Sequence, residues 1–331
     1  MAEFRIIKAI NQALSDAMTE DTSVVIFGED VARPGGAFTA TRGLQEAFPG
    51  RVLDTPISEQ AITGAAVGAA LSGLRPVVEI MFMDFITLAM DQLVNQAAKV
   101  RFMSGGQVSV PMVLRTPHGG TQNAGPQHSQ CLEAWLAHIP GLIVICPATP
   151  SDTYGLLRAA ITNPNPVVFV ENKALYGVKG NMPDDLAEIT AEIGKARIAR
   201  SGQDITIVTY GAMLYRSLEA AEQLAGNGIE AEVIDLRTLQ PWDKAAVLES
   251  ISRTHRAVVV HEAVTAFGIG AEIAATLVDE GFDELDSPVI RVGADFTPSP
   301  FAPQLEAAFL PQTDDIIAAV RKVLVRGFND G

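Results

Sequence analysis

An open, mostly parallel α/β architecture in two units is the fold class that this sequence predicts, and three observations predict it. Strand-length runs that are apolar throughout, rather than alternating, mark sheets covered on both faces. These runs alternate with segments of helical period along most of the chain. The alternation loosens once, after Glu171, and starts again at Ile205. A length of 331 residues is also roughly two domains' worth, at about 150 residues each.

Taken in order, Ile6, Ile10, Leu14 and Met18 recur four apart with Ile7 beside them, which predicts an opening helix with one apolar stripe. VVIF (24–27) is the first strand and ends in Gly28-Glu29-Asp30. Further strands are expected at PVVEIM (76–81), VPMVLR (110–115), LIVIC (142–146) and PVVFVE (166–171), with helices over 60–73, 86–103, 129–138 and 151–161 between them. The stretch after Glu171 carries charges, glycines and a proline but no long apolar run, and reads as a connection. A second alternation follows: ITIVTY (205–210), a helix near 214–225, EAEVIDL (230–236), a helix near 243–252, and RAVVVHE (256–262). It continues with a helix from about 268 and PVIRV (288–292), and closes with a helix over 314–325. The expected division is a first domain over 1–185, a linker over 186–203 and a second domain over 204–331, without a sequence repeat of fixed period.

Composition narrows the function classes. Apolar residues make up 48% and charged residues 19%, enough for large cores. Lys plus Arg total 24 against 39 for Asp plus Glu, and the net charge of -15 argues against a nucleic-acid binder, whose affinity comes from neutralising phosphates. The two cysteines, Cys131 and Cys146, lack CxxC spacing, so neither a disulfide framework nor a zinc site is suggested. No apolar run approaches the ~20 residues of a membrane helix. The N-terminus lacks the marks of a signal or transit peptide, and a cytoplasmic location is expected.

Several catalytic patterns fail on inspection. Gly268-Ile-Gly270 has Ile273 where a dinucleotide fingerprint needs its third glycine, and reads as a tight strand-to-helix turn. His118-Gly119-Gly120 resembles an esterase oxyanion loop, yet no GxSxG exists. No HExxH occurs among the five histidines. Two segments remain. In the first, Ser58-Glu59 launches a helix dominated by Gly64, Ala65, Ala66, Gly68, Ala69 and Ala70, whose small residues permit close packing within a domain or across a subunit interface. Glu59 at its start is either a capping carboxylate or a site residue. In the second, the polar, glycine-rich RTPHGGTQNAGPQHSQ leads to a helix expected near Ser129, where the positive helix end would keep the His128 ring neutral. Phe85, within MFMDF, reads as core on composition alone.

FGEDV (27–31), DTPISEQAITGAAVGAALSGLRPVVEI (54–80), MDQLVNQAAKVRFMSGG (90–106), GPQHSQ (125–130) and HIPGLIVICPATPSD (138–152) together carry a resemblance that covers essentially the whole chain. It is to the beta subunit of the thiamin-diphosphate-dependent decarboxylating component of 2-oxo acid dehydrogenase complexes. The resemblance implies a transketolase-like pyrimidine-binding domain, a parallel sheet with helices on both faces, followed by a transketolase C-terminal α/β domain. It gives Glu59 the role of the carboxylate that hydrogen-bonds the cofactor's aminopyrimidine, favouring the imino form that removes the thiazolium proton, and burial is expected to hold a proton there. Phe85 is implied as the ring stacked on the aminopyrimidine, Met81 and Ile57 as apolar walls, and His128 as the histidine serving proton transfer and lipoyl acylation.

The Gly-Asp-Gly motif that anchors the diphosphate through magnesium does not occur, and Asn329-Asp330-Gly331 has nothing downstream to complete one. The resemblance therefore implies half a site, with the alpha subunit of an α2β2 heterotetramer holding the magnesium. It also implies a potassium ion at Met112, Ala160, Ile161, Asn163 and Asn165, and docking of the C-terminal domain on the dihydrolipoyl acyltransferase core. Asp279, Glu280, Asp283, Glu284 and Asp286 form either that contact or a solvated acidic surface. GPQHSQC and LYGV (175–178) favour pyruvate as the 2-oxo acid, while EIMFMDF departs from the pyruvate type; acetoin or a branched-chain acid is the alternative, and a non-catalytic binding protein of the same fold is the alternative from another class.

Overall fold

The computed structural model describes residues 2–120 and 122–326, and the Asn329-Asp330-Gly331 sequence lies outside the described residues. The chain forms two compact units: residues 1–118 with 135–193, and residues 119–134 with 194–331. The strands in chain order are Ala2–Arg5 (β1), Val24–Gly28 (β2), Val52–Asp54 (β3), Arg75–Glu79 (β4), Val113–His118 (β5), Ile143–Ile145 (β6), Val167–Asn172 (β7) and Lys179–Met182 (β8). Then come Arg197–Arg200 (β9), Ile205–Thr209 (β10), Ala231–Asp235 (β11), Thr238–Gln240 (β12), Ala257–Val264 (β13) and Ile290–Ala294 (β14).

In the first unit, β6, β7, β5, β4, β2 and β3 lie side by side in that order, and every pairing among them is parallel. Apart from the edge strand β3, where Leu53 and Asp54 are exposed, their side chains are buried almost without interruption, as in the runs Val77-Val78, Val113-Leu114 and Val167 to Val170. That is the physical content of a strand with no polar alternate positions. The helix Ile6–Glu20 buries Ile6, Ile10, Leu14 and Met18, the stripe expected from the sequence, and packs against the helix Pro150–Thr162. β1 and β8 form a separate antiparallel ribbon that the sequence did not announce.

Where β4 and β5 leave the sheet core, Arg115 is 1% exposed between two carboxylates that are each 3% exposed, Glu79 and Glu171. Its Nε and Nη2 donate to Glu171 at 2.7 and 2.9 Å, and Nη1 donates to Glu79 at 2.8 Å.

The second unit is a five-stranded sheet in the order β14-β13-β10-β11-β9, parallel except for β9 at its edge. The helices Met213–Ala225, Lys244–Thr254, Ile269–Glu280 and Thr313–Arg326 pack on it. Residues 172–204, read as a plain connection, in fact contribute β8 and β9; both strands are short and amphiphilic, which is why no apolar run marks them. Among the described residues no helix is long and apolar enough to cross a membrane.

Candidate functional site

Three adjacent parallel strands set out the site in the first unit. Gly28 at the end of β2 is level with Asp54 at the end of β3 and Glu79 at the end of β4. The segments leaving these strands therefore emerge at one edge of the sheet, the C-terminal edge where α/β folds gather ligand-binding groups. β2 delivers Glu29, β3 delivers Ile57, Ser58 and Glu59, and β4 delivers Met81 to Phe85.

Ser58 adopts an extended conformation and its Oγ accepts a 3.4 Å bond from the Ala61 N–H, so it caps the helix Glu59–Leu71 and leaves Glu59 as its first residue. The helix packs on β4 and on the short 3-10 helix Met83–Ala89, which carries Phe85. Glu59 is partly exposed, not buried as expected, because it stands in the first turn beyond the end of the sheet. Burial, followed by the charges of Asp30 and Glu59, pushes the Glu29 carboxyl above its ordinary 4.5, which places the two glutamates within electrostatic reach of each other. Glu29 is the site residue the sequence reading left without a role, although it lies inside the FGEDV motif.

Phe85 is partly exposed, not core. Its ring meets Phe82 edge-on at 5.9 Å and 81°, and Met81 beside it is partly exposed too. Ile57 is 73% exposed. An accessible carboxylate, an accessible aromatic ring and two accessible apolar side chains thus share one sheet edge. Among the described residues Gly64 and Gly68 are not closely packed: a Cβ on Gly68 would meet nothing within 4 Å, and one on Gly64 would come only to 3.4 Å from Gln92 Cγ.

His128 belongs to the second unit, on the loop 119–134. The Gly120 N–H donates to Glu262 at 2.7 Å, Asn123 N–H donates to Glu306 at 3.1 Å, and Tyr210 Oη donates to the buried Glu133 at 2.8 Å. These anchors tie down a loop that passes Asn123 and Gly125 in left-handed conformations and turns at Pro126-Gln127, and the helix starts only at Glu133 and runs to Ala137. The helix expected at Ser129 is thereby displaced by four residues, and the helix-end argument for a neutral His128 fails with it. Gln127 and Ser129, the neighbours of His128, line a cavity of about 500 Å³ together with Glu262, Phe296, Ser299 and Leu310.

Comparison with known proteins bears on the two units. Residues 2–179 match the family described as transketolase, pyrimidine binding domain, and residues 194–316 match transketolase, C-terminal domain. The chain is 45% identical over 327 residues to the pyruvate dehydrogenase E1 component subunit beta-2, mitochondrial, of Oryza sativa subsp. japonica, covering 98% of this chain and 87% of that one. It is 46% identical over 329 residues to the beta subunit of acetoin:2,6-dichlorophenolindophenol oxidoreductase of Cupriavidus necator, covering 96% of this chain and 97% of that one.

The chain belongs to the transketolase-like family of E1 beta subunits.

Among solved structures, one described as a split gene transketolase, inactive beta4 tetramer, superposes with a TM-score of 0.81 at 26% identity, covering 97% of this chain and 98% of that one. The two α/β units read from the sequence are thus those of the E1 beta family, a pyrimidine-binding domain and a transketolase C-terminal domain. Of the residues named for a monovalent cation, Ala160 and Ile161 lie in the last turn of the helix Pro150–Thr162 and Asn163 caps it, its N–H donating to Ala160 O, while Met112 precedes β5. Their oxygens suit a hard cation by type, but several are engaged: Met112 O accepts from Val167 N–H at 2.9 Å, Ile161 O from Arg75 Nη1 at 2.8 Å, and Asn165 Oδ1 from Arg101 Nη1 at 2.6 Å.

Proposed function

We propose that this chain is the beta subunit of a 2-oxo acid dehydrogenase, an oxidoreductase that acts with an alpha subunit on pyruvate in an α2β2 heterotetramer. The observation that carries the reading is 43–45% identity to pyruvate dehydrogenase E1 beta subunits of plants and Rhizobium meliloti over 98% of this chain. The related acetoin enzyme keeps acetoin as the alternative substrate. The accessible set at the C-terminal edge of the first sheet fits half of a thiamin diphosphate site: Glu59 would hold the aminopyrimidine by a hydrogen bond, Phe85 would stack on it, and Ile57 and Met81 would flank it. When bound, thiamin diphosphate supplies the electron sink for decarboxylation. Glu59 would orient the ring by that hydrogen bond, the apolar walls would exclude water, and His128 would serve proton transfer during acylation of the lipoyl group.

Exposed apolar side chains in the first unit, Ile57, Leu88, Phe102 and Met103, support a large partner surface for the alpha subunit, which would hold the magnesium. Potassium at Met112, Ala160, Ile161, Asn163 and Asn165 is part of the proposal, as are docking of the acidic second unit on the acyltransferase core and a cytoplasmic location. The domain limits expected from the sequence, 1–185 and 204–331, shift in the structure, where β9 pairs in the second sheet and the loop that carries His128 folds with the second unit. The test is dye reduction dependent on pyruvate when the chain is mixed with an alpha-type subunit, thiamin diphosphate and magnesium. Activity is expected only with both subunits. Activity from this chain alone overturns the half-site, and an inert complex with pyruvate, acetoin and branched-chain 2-oxo acids alike favours the non-catalytic alternative.

A further inference from the structure

The buried ion cluster of the first unit is poorly explained by stability. Arg115, Glu79 and Glu171 bring one cation and two carboxylates into the core, and a well-packed apolar trio would fold about as well or better. The strands that carry them are already joined by ladder hydrogen bonds, so register does not need the cluster. What the cluster does have is direction. The guanidinium fork grips both oxygens of Glu171, and a remaining lone pair of Glu171 Oε2 accepts the Tyr176 hydroxyl at 2.7 Å. Burial, and then the charge of Glu171, push the Tyr176 phenol well above its ordinary range, so the group stays a donor.

From Tyr176 the contacts run outward through rings. Tyr176 packs on Phe38 at 5.1 Å, Phe38 meets Phe82 edge-on at 5.7 Å, and Phe82 meets Phe85 edge-on at 5.9 Å. Lys173 Nζ sits 5.1 Å from the Phe82 ring centre, which fixes the middle ring from a further side. The path also closes on itself. Glu79 accepts a backbone hydrogen bond from Ala37, and Gly36, at a φ of 81°, lies so near that a Cβ there would be 2.8 Å from Glu79 Oε1. The segment Gly36–Phe38 is therefore held at its backbone by Glu79 and at its ring by Tyr176. It belongs to the loop that begins with Glu29, the carboxyl within reach of Glu59.

We infer that Arg115 and Tyr176 are positioning residues: acting through Glu171, Glu79, Phe38 and Phe82, they fix the Phe85 ring and the Glu29 loop at the edge where thiamin diphosphate is read. This rests on the assignment of Phe85 and Glu59 proposed above. The cluster is a rigid anchor because its members cannot reorient singly without leaving a buried charge unpaired.

The test uses the complex with the alpha subunit and measures the thiamin diphosphate dissociation constant by calorimetry, turnover at saturating cofactor, and the melting temperature. Tyr176→Phe removes one hydroxyl, Phe82→Leu removes the middle ring, and Arg115→Lys keeps the charge while losing the fork. Each is expected to weaken cofactor binding roughly 3- to 10-fold, the worth of one buried hydrogen bond or ring contact, with turnover at saturation within about threefold of wild type. Because Tyr176 and Phe82 lie on one path, their double variant is expected to lose no more than the worse single variant. Unchanged affinity in Tyr176→Phe, a lower melting temperature as the only effect, or multiplying losses in the double variant overturns the inference. If Tyr176→Phe does not fold, Phe82→Leu and Arg115→Lys decide it by the same affinity criterion. A wild-type complex that binds no thiamin diphosphate overturns the site assignment itself, whereas wild-type binding with unaffected variants overturns only the positioning role.

Discussion

Two strand-to-helix junctions, one in each unit, open helices of almost equal length and yet do opposite things. The first precedes a helix of 13 residues, Glu59–Leu71, and has a serine cap followed at once by a partly exposed carboxylate. The second precedes a helix of 12 residues, Ile269–Glu280, and its cap, Gly268, offers no side-chain bond. The space beyond that helix end is filled from inside by His261, a fully buried residue of β13. Cβ atoms on Gly268 and Gly270 would stand 2.7 and 2.8 Å from its ring, and Gly293 comes to 2.9 Å. Burial pulls the His261 imidazole below its ordinary 6.5, so a neutral ring seals the second junction. The same architecture therefore yields an open, chemically equipped helix start in one unit and a closed, glycine-lined one in the other. The Gly-Ile-Gly that superficially suggests a nucleotide loop is a packing device: the glycines make room for a histidine.

This contrast can be broken most severely at Glu59. Glu59→Gln should leave assembly with the alpha subunit intact and cut hydrogen–deuterium exchange at the thiazolium carbon by about 100-fold or more, the scale of a lost acid–base group. Exchange close to the wild-type rate would remove Glu59 from the reaction. His128→Ala comes next: acylation of lipoyl acceptor should fall by about 10- to 100-fold while cofactor affinity stays within about twofold. Equal losses in both would make His128 structural.

At the sealed junction the readout moves from rate to stability. Gly270→Ala drives a methyl group into the His261 ring and should cost about 1–3 kcal/mol in thermal or denaturant unfolding. Gly68→Ala, where a Cβ meets nothing within 4 Å, should instead stabilise the isolated chain by about 0.5–1 kcal/mol, because alanine is the better residue inside a helix.

The smallest effects are in pH dependence and have opposite signs. Glu29 titrates higher in the folded chain than its ordinary 4.5, so the fold binds that proton more readily and loses stability as pH rises from 4.5 through the raised value. His261 titrates below 6.5, so the fold resists that proton and loses stability as pH falls from 6.5 through the lowered value. Glu29→Gln should flatten the first slope and leave the second; unfolding curves across pH 4–8 that keep both slopes would contradict the assignment.

Legibility of the fold followed burial. Runs such as Val24–Phe27 and Ile205–Thr209 are strands within a residue or so of where their apolar content places them, because a strand covered on both faces has no other composition open to it. β1, β8 and β9 escaped notice because short edge and ribbon strands need no such run. The continuous helix expected over 86–103 is instead a 3-10 helix, a π-helical stretch Gln92–Ala97 and an α-helix Ala98–Met103; helical period is visible in sequence, while the hydrogen-bond step within it is not.

The sequence by itself determined two α/β units, an acidic composition and the family. Those depend on local pattern and on motifs contiguous in the chain. Only the tertiary structure decided that Glu29 stands within reach of Glu59, since their meeting depends on β2 and β3 being neighbours in one sheet. It also decided that the His128 loop folds with the second unit, where carboxylates more than 100 residues further along the chain, Glu262 and Glu306, take up its N–H groups. Pairings of this kind come from the need of buried charges and backbone donors to find partners wherever the fold brings them, and that need leaves no periodicity in the sequence.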